Sequence, residues 1–121
     1  GMAATERLIC ASDALAEKGR GVRFELPVGS GVMAHAFAVR YCGKVYAYLN
    51  RCAHVGIELD WNAGEFFDES GLYLICTTHG AIYLPDSGKC IGGPCRGRRL
   101  QQLDIEERDG SVYLKSRRNY G

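Results

Sequence analysis

Between residues 33 and 40 the chain alternates Met33, His35, Phe37 and Val39 with Ala34, Ala36 and Ala38. A period of two puts successive side chains on opposite faces of an extended chain, so this stretch predicts a strand. Residues 44–50 repeat the pattern, Val45, Ala47 and Leu49 against Tyr46 and Tyr48, and the intervening Cys42-Gly43 predicts a tight hairpin turn. Residues 21–28, ending near Pro27, read as a further strand, and residues 72–75, 81–84, 100–106 and 111–116 as shorter ones. Asp109-Gly110 is a strong turn signal joining the last two. Residues 12–17 predict one helical turn, with Ser12 as its cap and Gly19 as its end. The pattern as a whole predicts an all-β chain of short antiparallel strands with Greek-key-like connections, and no repeat, linker or low-complexity segment interrupts it.

Composition narrows the class. With 121 residues, 46% hydrophobic, the chain predicts one soluble globular domain over residues 2–121, Gly1 reading as the scar of a cleaved tag. That length buries a sizeable core without covalent staples, so the six Cys need another explanation. Fifteen basic against fourteen acidic side chains, net +1, supply no uniform field for nucleic acid or an anionic membrane. No apolar run approaches the roughly 20 residues that cross a bilayer, and no signal-like start is present, so the expected location is cytoplasmic.

The chemistry lies in two of the three His, each beside a Cys: Cys52-Ala53-His54 and Cys76-Thr77-Thr78-His79, with 21 residues between. Both pairs follow predicted strands, so two loops on a rigid sheet would clamp one cofactor. Zinc sites more often gather two Cys on one knuckle, which makes a structural zinc site the weaker reading of this alternating set.

Cys-x-His followed by Cys-x-x-His resembles the Rieske 2Fe-2S family, in which each loop gives a Cys to one iron and a His to the other. The resemblance extends to Gly56, to His79-Gly80-Ala81-Ile82-Tyr83, to Ser87-Gly88-Lys89-Cys90 and to Gly92-Gly93-Pro94, similar to the family's proline loop over the cluster. It covers about residues 21–114 and implies a Rieske-like antiparallel β-sandwich with a two-loop cluster-binding subdomain at about residues 50–96. It further implies one 2Fe-2S cluster per chain on Cys52, His54, Cys76 and His79, with Gly56, Gly80, Tyr83 and Pro94 around it. High-potential members carry an extra Cys in each loop, joined as a disulfide; Ile57 and Thr78 stand at those positions here. Ala81 replaces a hydroxyl-donating Ser, while Tyr83 keeps a hydroxyl. The expected potential is low to intermediate within a family range of about −150 to +300 mV. The long spacer, with Trp61, Phe66 and Phe67, reads as a lengthened loop beside the cluster.

Cys10, Cys42, Cys90 and Cys95 remain, and in a reducing compartment they read as small buried hydrophobes, with a Cys90–Cys95 redox pair the main alternative. His35 reads as a satisfied or half-buried structural residue. Lys89, Arg96, Arg98 and Arg99 form a basic segment flanking the proline loop, opposite an acidic stretch with Glu58, Asp60, Glu65, Asp68 and Glu69. These charges are either a solvated, internally paired surface or a docking face for a redox partner, with Arg96, Arg98 and Arg99 its candidates.

By this resemblance the chain is an electron-transfer component and not a catalyst. It is a ferredoxin that passes single electrons from a reductase to an oxygenase or other oxidoreductase. The alternative is a redox-sensing or regulatory accessory subunit with the same cluster.

Overall fold

The computed structural model describes residues 6–29, 31–51, 58–60, 63–78, 80–94 and 97–115. Among these residues nine strands form three antiparallel sheets of three: β1 (Glu6–Ala11), β9 (Ser111–Lys115) and β8 (Ile105–Arg108); β2 (Val22–Gly29), β3 (Val32–Tyr41) and β4 (Lys44–Leu49); and β5 (Leu74–Cys76), β6 (Ala81–Tyr83) and β7 (Cys90–Gly92). Among the described residues there is no α-helix, and no helix is long and apolar enough to cross a membrane.

The alternation along β3 is the organising feature. Ala36, Ala38, Phe37 and Val39 are all buried. Phe37 and Val39 join Tyr48, Leu59, Phe66, Leu74, Tyr83 and Leu100 in one core. Ala36 and Ala38 join Leu15, Leu26, Leu49, Leu103 and Val112 in a second. The middle sheet is therefore covered on both faces, large side chains toward the β5–β7 sheet and alanines toward the terminal sheet. Beyond the core the same strand runs out to solvent at Met33 and His35.

Both predicted hairpin turns form. Cys42 and Gly43 have φ of 52° and 80°, and Asp109 and Gly110 have 52° and 77°. Two successive positive φ values match the right-handed twist of the flanking strands. The Glu17 carboxylate accepts the N–H groups of Cys42 and Gly43, tying the first turn to the segment after β1.

The helical turn is shorter than expected, a 3₁₀ turn at Ser12–Ala14 without a side-chain cap. Its place is held from outside, because Arg40 donates to the carbonyls of Ser12 and Leu15 and pairs with Glu107 at 2.6 Å. The strand expected at residues 100–106 begins only at Ile105. Upstream of it, Leu49 N–H bonds Gln101 O and Leu103 N–H bonds Ala47 O, so residues 101–103 cover the free edge of β4 instead. The pattern did not reveal β1, which is mostly exposed, or the three-residue β7.

Candidate metal centre

β5 ends at Cys76, which is buried. The chain turns at once: Gly80 N–H bonds Cys76 O at 2.7 Å, and Ala81 pairs back with Cys76 at the start of β6. The second of the two loops is thus a tight turn between paired strands, a rigid mount for the side chains it carries. Within and around it Thr78 is exposed, Ala81 is buried, and Tyr83 is buried opposite Leu74 and Cys90. Cys52, His54, Gly56, Ile57 and His79 lie outside the described residues, as do Trp61, Cys95 and Arg96.

The first loop leaves β4 at Asn50 and is described again from Glu58. Asn50 N–H bonds His35 O at 2.8 Å, and Leu59 O accepts Thr77 N–H at 3.2 Å, so the end of the first loop touches the beginning of the second.

The segment that resembles the proline loop connects two extended arms. Cys90 N–H bonds Arg98 O, Leu100 N–H bonds Gly88 O, and Lys89 bridges Arg99. At its tip the backbone of Gly93 presses on the second loop: a Cβ there would stand 2.9 Å from Gly80 O and 3.0 Å from Ala81 Cα. Its φ of 85° also favours glycine. Pro94 follows, exposed.

The spacer is more than a surface loop. Phe66 is fully buried and stacks on Phe37 with ring centroids 3.9 Å apart. Ile75 N–H bonds Phe66 O and Asp68 N–H bonds Tyr73 O, which folds residues 66–75 into a hairpin-like arm. Gly21 N–H bonds Gly64 O at 2.7 Å and pins the arm to the start of β2. Much of the acidic stretch is consumed in this attachment, Glu65 pairing with Arg20, and Glu58 and Asp60 with Arg23. Internal pairing therefore accounts for three of the five carboxylates.

His35 is half exposed and lies between two carboxylates, Nδ1 2.7 Å from Glu58 and Nε2 3.4 Å from Glu25. It is satisfied, as expected of a structural residue. Cys10 and Cys42 are free thiols, Cys42 exposed instead of buried. Cys90 departs from the free-thiol expectation, since its sulfur is in a disulfide. β7 carries it within one of the two arms of the proline loop, a context the spacing alone left open. Arg98 and Arg99 are exposed, and Arg99 donates to Ser87 O at 3.0 Å. Sequence reasoning missed Asn50 and Arg23; a polar residue just before the first Cys-His pair was the available signal for Asn50, and nothing local marks Arg23, whose partner Glu58 is 35 positions away.

Two thiols and two imidazoles on two loops suit a 2Fe-2S cluster with mixed ligation. The part of that set on view fits: Cys76 is buried and mounted on a tight turn, and Gly93 leaves room only for backbone where the covering loop meets it. Among the described residues no group of three or more His, Cys, Asp or Glu forms another metal site.

Comparison with known proteins agrees. Residues 7–111 match the family model described as the Rieske [2Fe-2S] domain. The fold is similar to the ferredoxin of carbazole 1,9a-dioxygenase from Nocardioides aromaticivorans IC177, with TM-score 0.69 and 20% identity over 91% of this chain and 96% of that one. It is similar also to the Sphingomonas yanoikuyae B1 ferredoxin, with TM-score 0.69 and 18% identity over 93% and 100%. The terminal oxygenase of the Nocardioides carbazole system matches with TM-score 0.73 and 19% identity over 96% of this chain but 32% of that one. No curated protein sequence matches. With a family match across most of its length and the fold to go with it, the chain belongs to the Rieske [2Fe-2S] domain family, whose cofactor is a 2Fe-2S cluster.

Proposed function

We propose that this chain is a one-electron carrier, a ferredoxin component serving an oxygenase or another oxidoreductase. The cluster supplies a centre that takes up and releases one electron, at a potential raised by having two neutral imidazoles in place of thiolates. Cys52 and His54 on the first loop and Cys76 and His79 on the second are its ligands in this reading. Gly56, Gly80, Tyr83 and Pro94 surround it. The residues from 2 to 121 act as a single domain, and the exposed Cys42 thiol suits a reducing, cytoplasmic setting, in which the Cys90 disulfide is a redox pair and not a structural staple.

The observation that carries the reading is the similarity to two ferredoxins over 96% and 100% of their lengths. An oxygenase site also needs a mononuclear iron held by two His and a carboxylate. Once His54 and His79 are assigned, only His35 is left, and Glu25 and Glu58 occupy it. The chain's own contribution is to mount the two loops on the ends of β4 and β5, to set the proline loop against the second of them, and to offer Arg96, Arg98 and Arg99 as a basic flank for a partner. Glu58, Asp60 and Glu65 are paired internally, and the exposed side chains of Arg98 and Arg99 suit an acidic docking surface.

The test is the EPR spectrum of the dithionite-reduced protein, prepared without oxygen, with iron and acid-labile sulfide determined on the same sample. A 2Fe-2S signal of low average g, with iron and sulfide in equal amounts, is expected. Zinc without iron would overturn the reading. Rapid reduction by a ferredoxin reductase, followed by oxidation by an oxygenase, separates a carrier from a redox-sensing accessory subunit.

A further inference from the structure

Asn50 and Asp60 are the buried polar or charged residues of the described core, 4% and 7% exposed. Groups of this kind cost stability unless every polar atom is paired, so their retention asks for a reason. Here every one is paired. Asn50 Oδ1 accepts Leu59 N–H at 2.8 Å, and Asn50 Nδ2 donates to Asp60 Oδ1 at 2.9 Å. Asp60 Oδ2 accepts Gly64 N–H at 2.9 Å and faces Arg23 Nε at 3.3 Å. Arg23 also donates to Glu58, on the same returning segment.

Asn50 lies two residues before Cys52, and Leu59 and Asp60 lie where the first loop returns. One amide side chain thus ties the two ends of that loop together. Leu59 O accepts Thr77 N–H, one residue after Cys76, so the same chain of bonds continues into the second loop. A hydrophobic pair at positions 50 and 60 would fill the space but would set neither distance.

We propose that the Asn50–Asp60 pair, held from outside by Arg23, is a clamp that sets the separation of the two ligand loops, making Asn50 and Asp60 positioning residues for the cluster. This rests on the ligand set given under Proposed function. Outer partners that orient metal ligands commonly change metal affinity by about 10–100-fold when removed.

A charge-swap cycle tests it. Asn50→Asp alone sets a carboxylate oxygen against Asp60 Oδ1. Asp60→Asn alone must turn its NH₂ toward either Asn50 Nδ2 or Gly64 N–H. The double variant restores every bond of the pair, reversing only the one between the two side chains: Asn at 60 donates to Asp at 50 and accepts Gly64 N–H, while Asp at 50 accepts Leu59 N–H as Asn50 does. In the reconstituted holoproteins, each single variant should lose its cluster about tenfold faster than wild type, followed by visible absorbance, with a shifted potential and EPR g values. The double variant should return to within about threefold of wild type. Amide exchange at Leu59 and Thr77 should rise and recover in the same order, whether or not the cluster is bound.

Single variants with wild-type cluster loss, potential and spectrum would overturn the proposal, and so would a double variant that merely sums the singles. If either single variant does not fold, Arg23→Gln replaces it, with the same changes at smaller size expected and unchanged behaviour fatal to the clamp. Wild type without iron and sulfide would instead overturn the ligand reading, and the exchange arm alone would then decide whether the clamp exists.

Discussion

The contact of Gly93 with the second loop makes Gly93→Ala a sharp test of how the covering loop is seated. The new methyl meets Gly80 O at 2.9 Å and Ala81 Cα at 3.0 Å, both backbone atoms fixed by the turn after Cys76. A left-handed backbone conformation costs a non-glycine residue roughly 1–2 kcal/mol. Forcing a methyl into packed backbone adds about 1–3 kcal/mol. The sum, about 2–5 kcal/mol, corresponds to a fall of roughly 10–20 °C in the melting midpoint for a chain of this size. Gly110→Ala is the matched control, because Gly110 has φ of 77° and nothing within 4 Å of its added Cβ. It carries only the backbone cost and should fall by roughly 4–8 °C. Both are read as melts of the holoprotein at one scan rate, by far-UV circular dichroism and by cluster absorbance. The cluster absorbance of Gly93→Ala should decay before the circular dichroism does. A Gly93→Ala midpoint within about 3 °C of the Gly110→Ala midpoint would refute the close contact, since the difference would then be below 1 kcal/mol.

Phe66→Ala removes a fully buried ring stacked on Phe37 and should cost about 3–5 kcal/mol in denaturant unfolding, whereas a surface loop would lose almost nothing. Tyr83→Phe should keep the cluster and lower its potential by about 40 mV if the hydroxyl donates one hydrogen bond worth about 1 kcal/mol to it, and an unchanged potential in a redox titration removes Tyr83 from the tuning. Hydrogen bonds from Arg40 hold the Glu107 carboxyl below its ordinary pKa, so the pair stabilises the fold above that ordinary value and the contribution is lost as pH falls through the lowered one. Glu107→Gln should therefore be less stable than wild type by about 1 kcal/mol above roughly pH 5, with the gap closing in more acid solution. Arg98→Gln with Arg99→Gln should slow electron transfer to an acidic partner at low ionic strength, with the difference vanishing at high salt; equal rates at low salt would remove the basic flank from docking.

Strands with a local pattern can be read from the residues alone. The alternation in residues 33–40 and 44–50, the Cys42-Gly43 and Asp109-Gly110 turns and the two Cys-His spacings are properties of neighbours, and they led to an all-β Rieske chain. The strand pattern holds in β2, β3, β4, β6 and β9, while the ligand set stands as a proposal. Residues 100–106 were harder, because 101–103 pair with β4 only after β4 is in place, and an edge covered from a distance leaves no local period. The spacer reads as a lengthened loop because no local period marks it, and the burial of Phe66 depends on Phe37 nearly thirty positions away. The acidic stretch could be weighed as surface or as internal pairing, and only the approach of Arg20 and Arg23 from β2 and the segment before it decided for pairing. The disulfide at Cys90 and the Asn50–Asp60 pair follow the same rule, for they depend on which backbone segments meet across the fold. Local chemistry is written in residue type and spacing, whereas the partner of a buried amide or a charged group is chosen by tertiary contact.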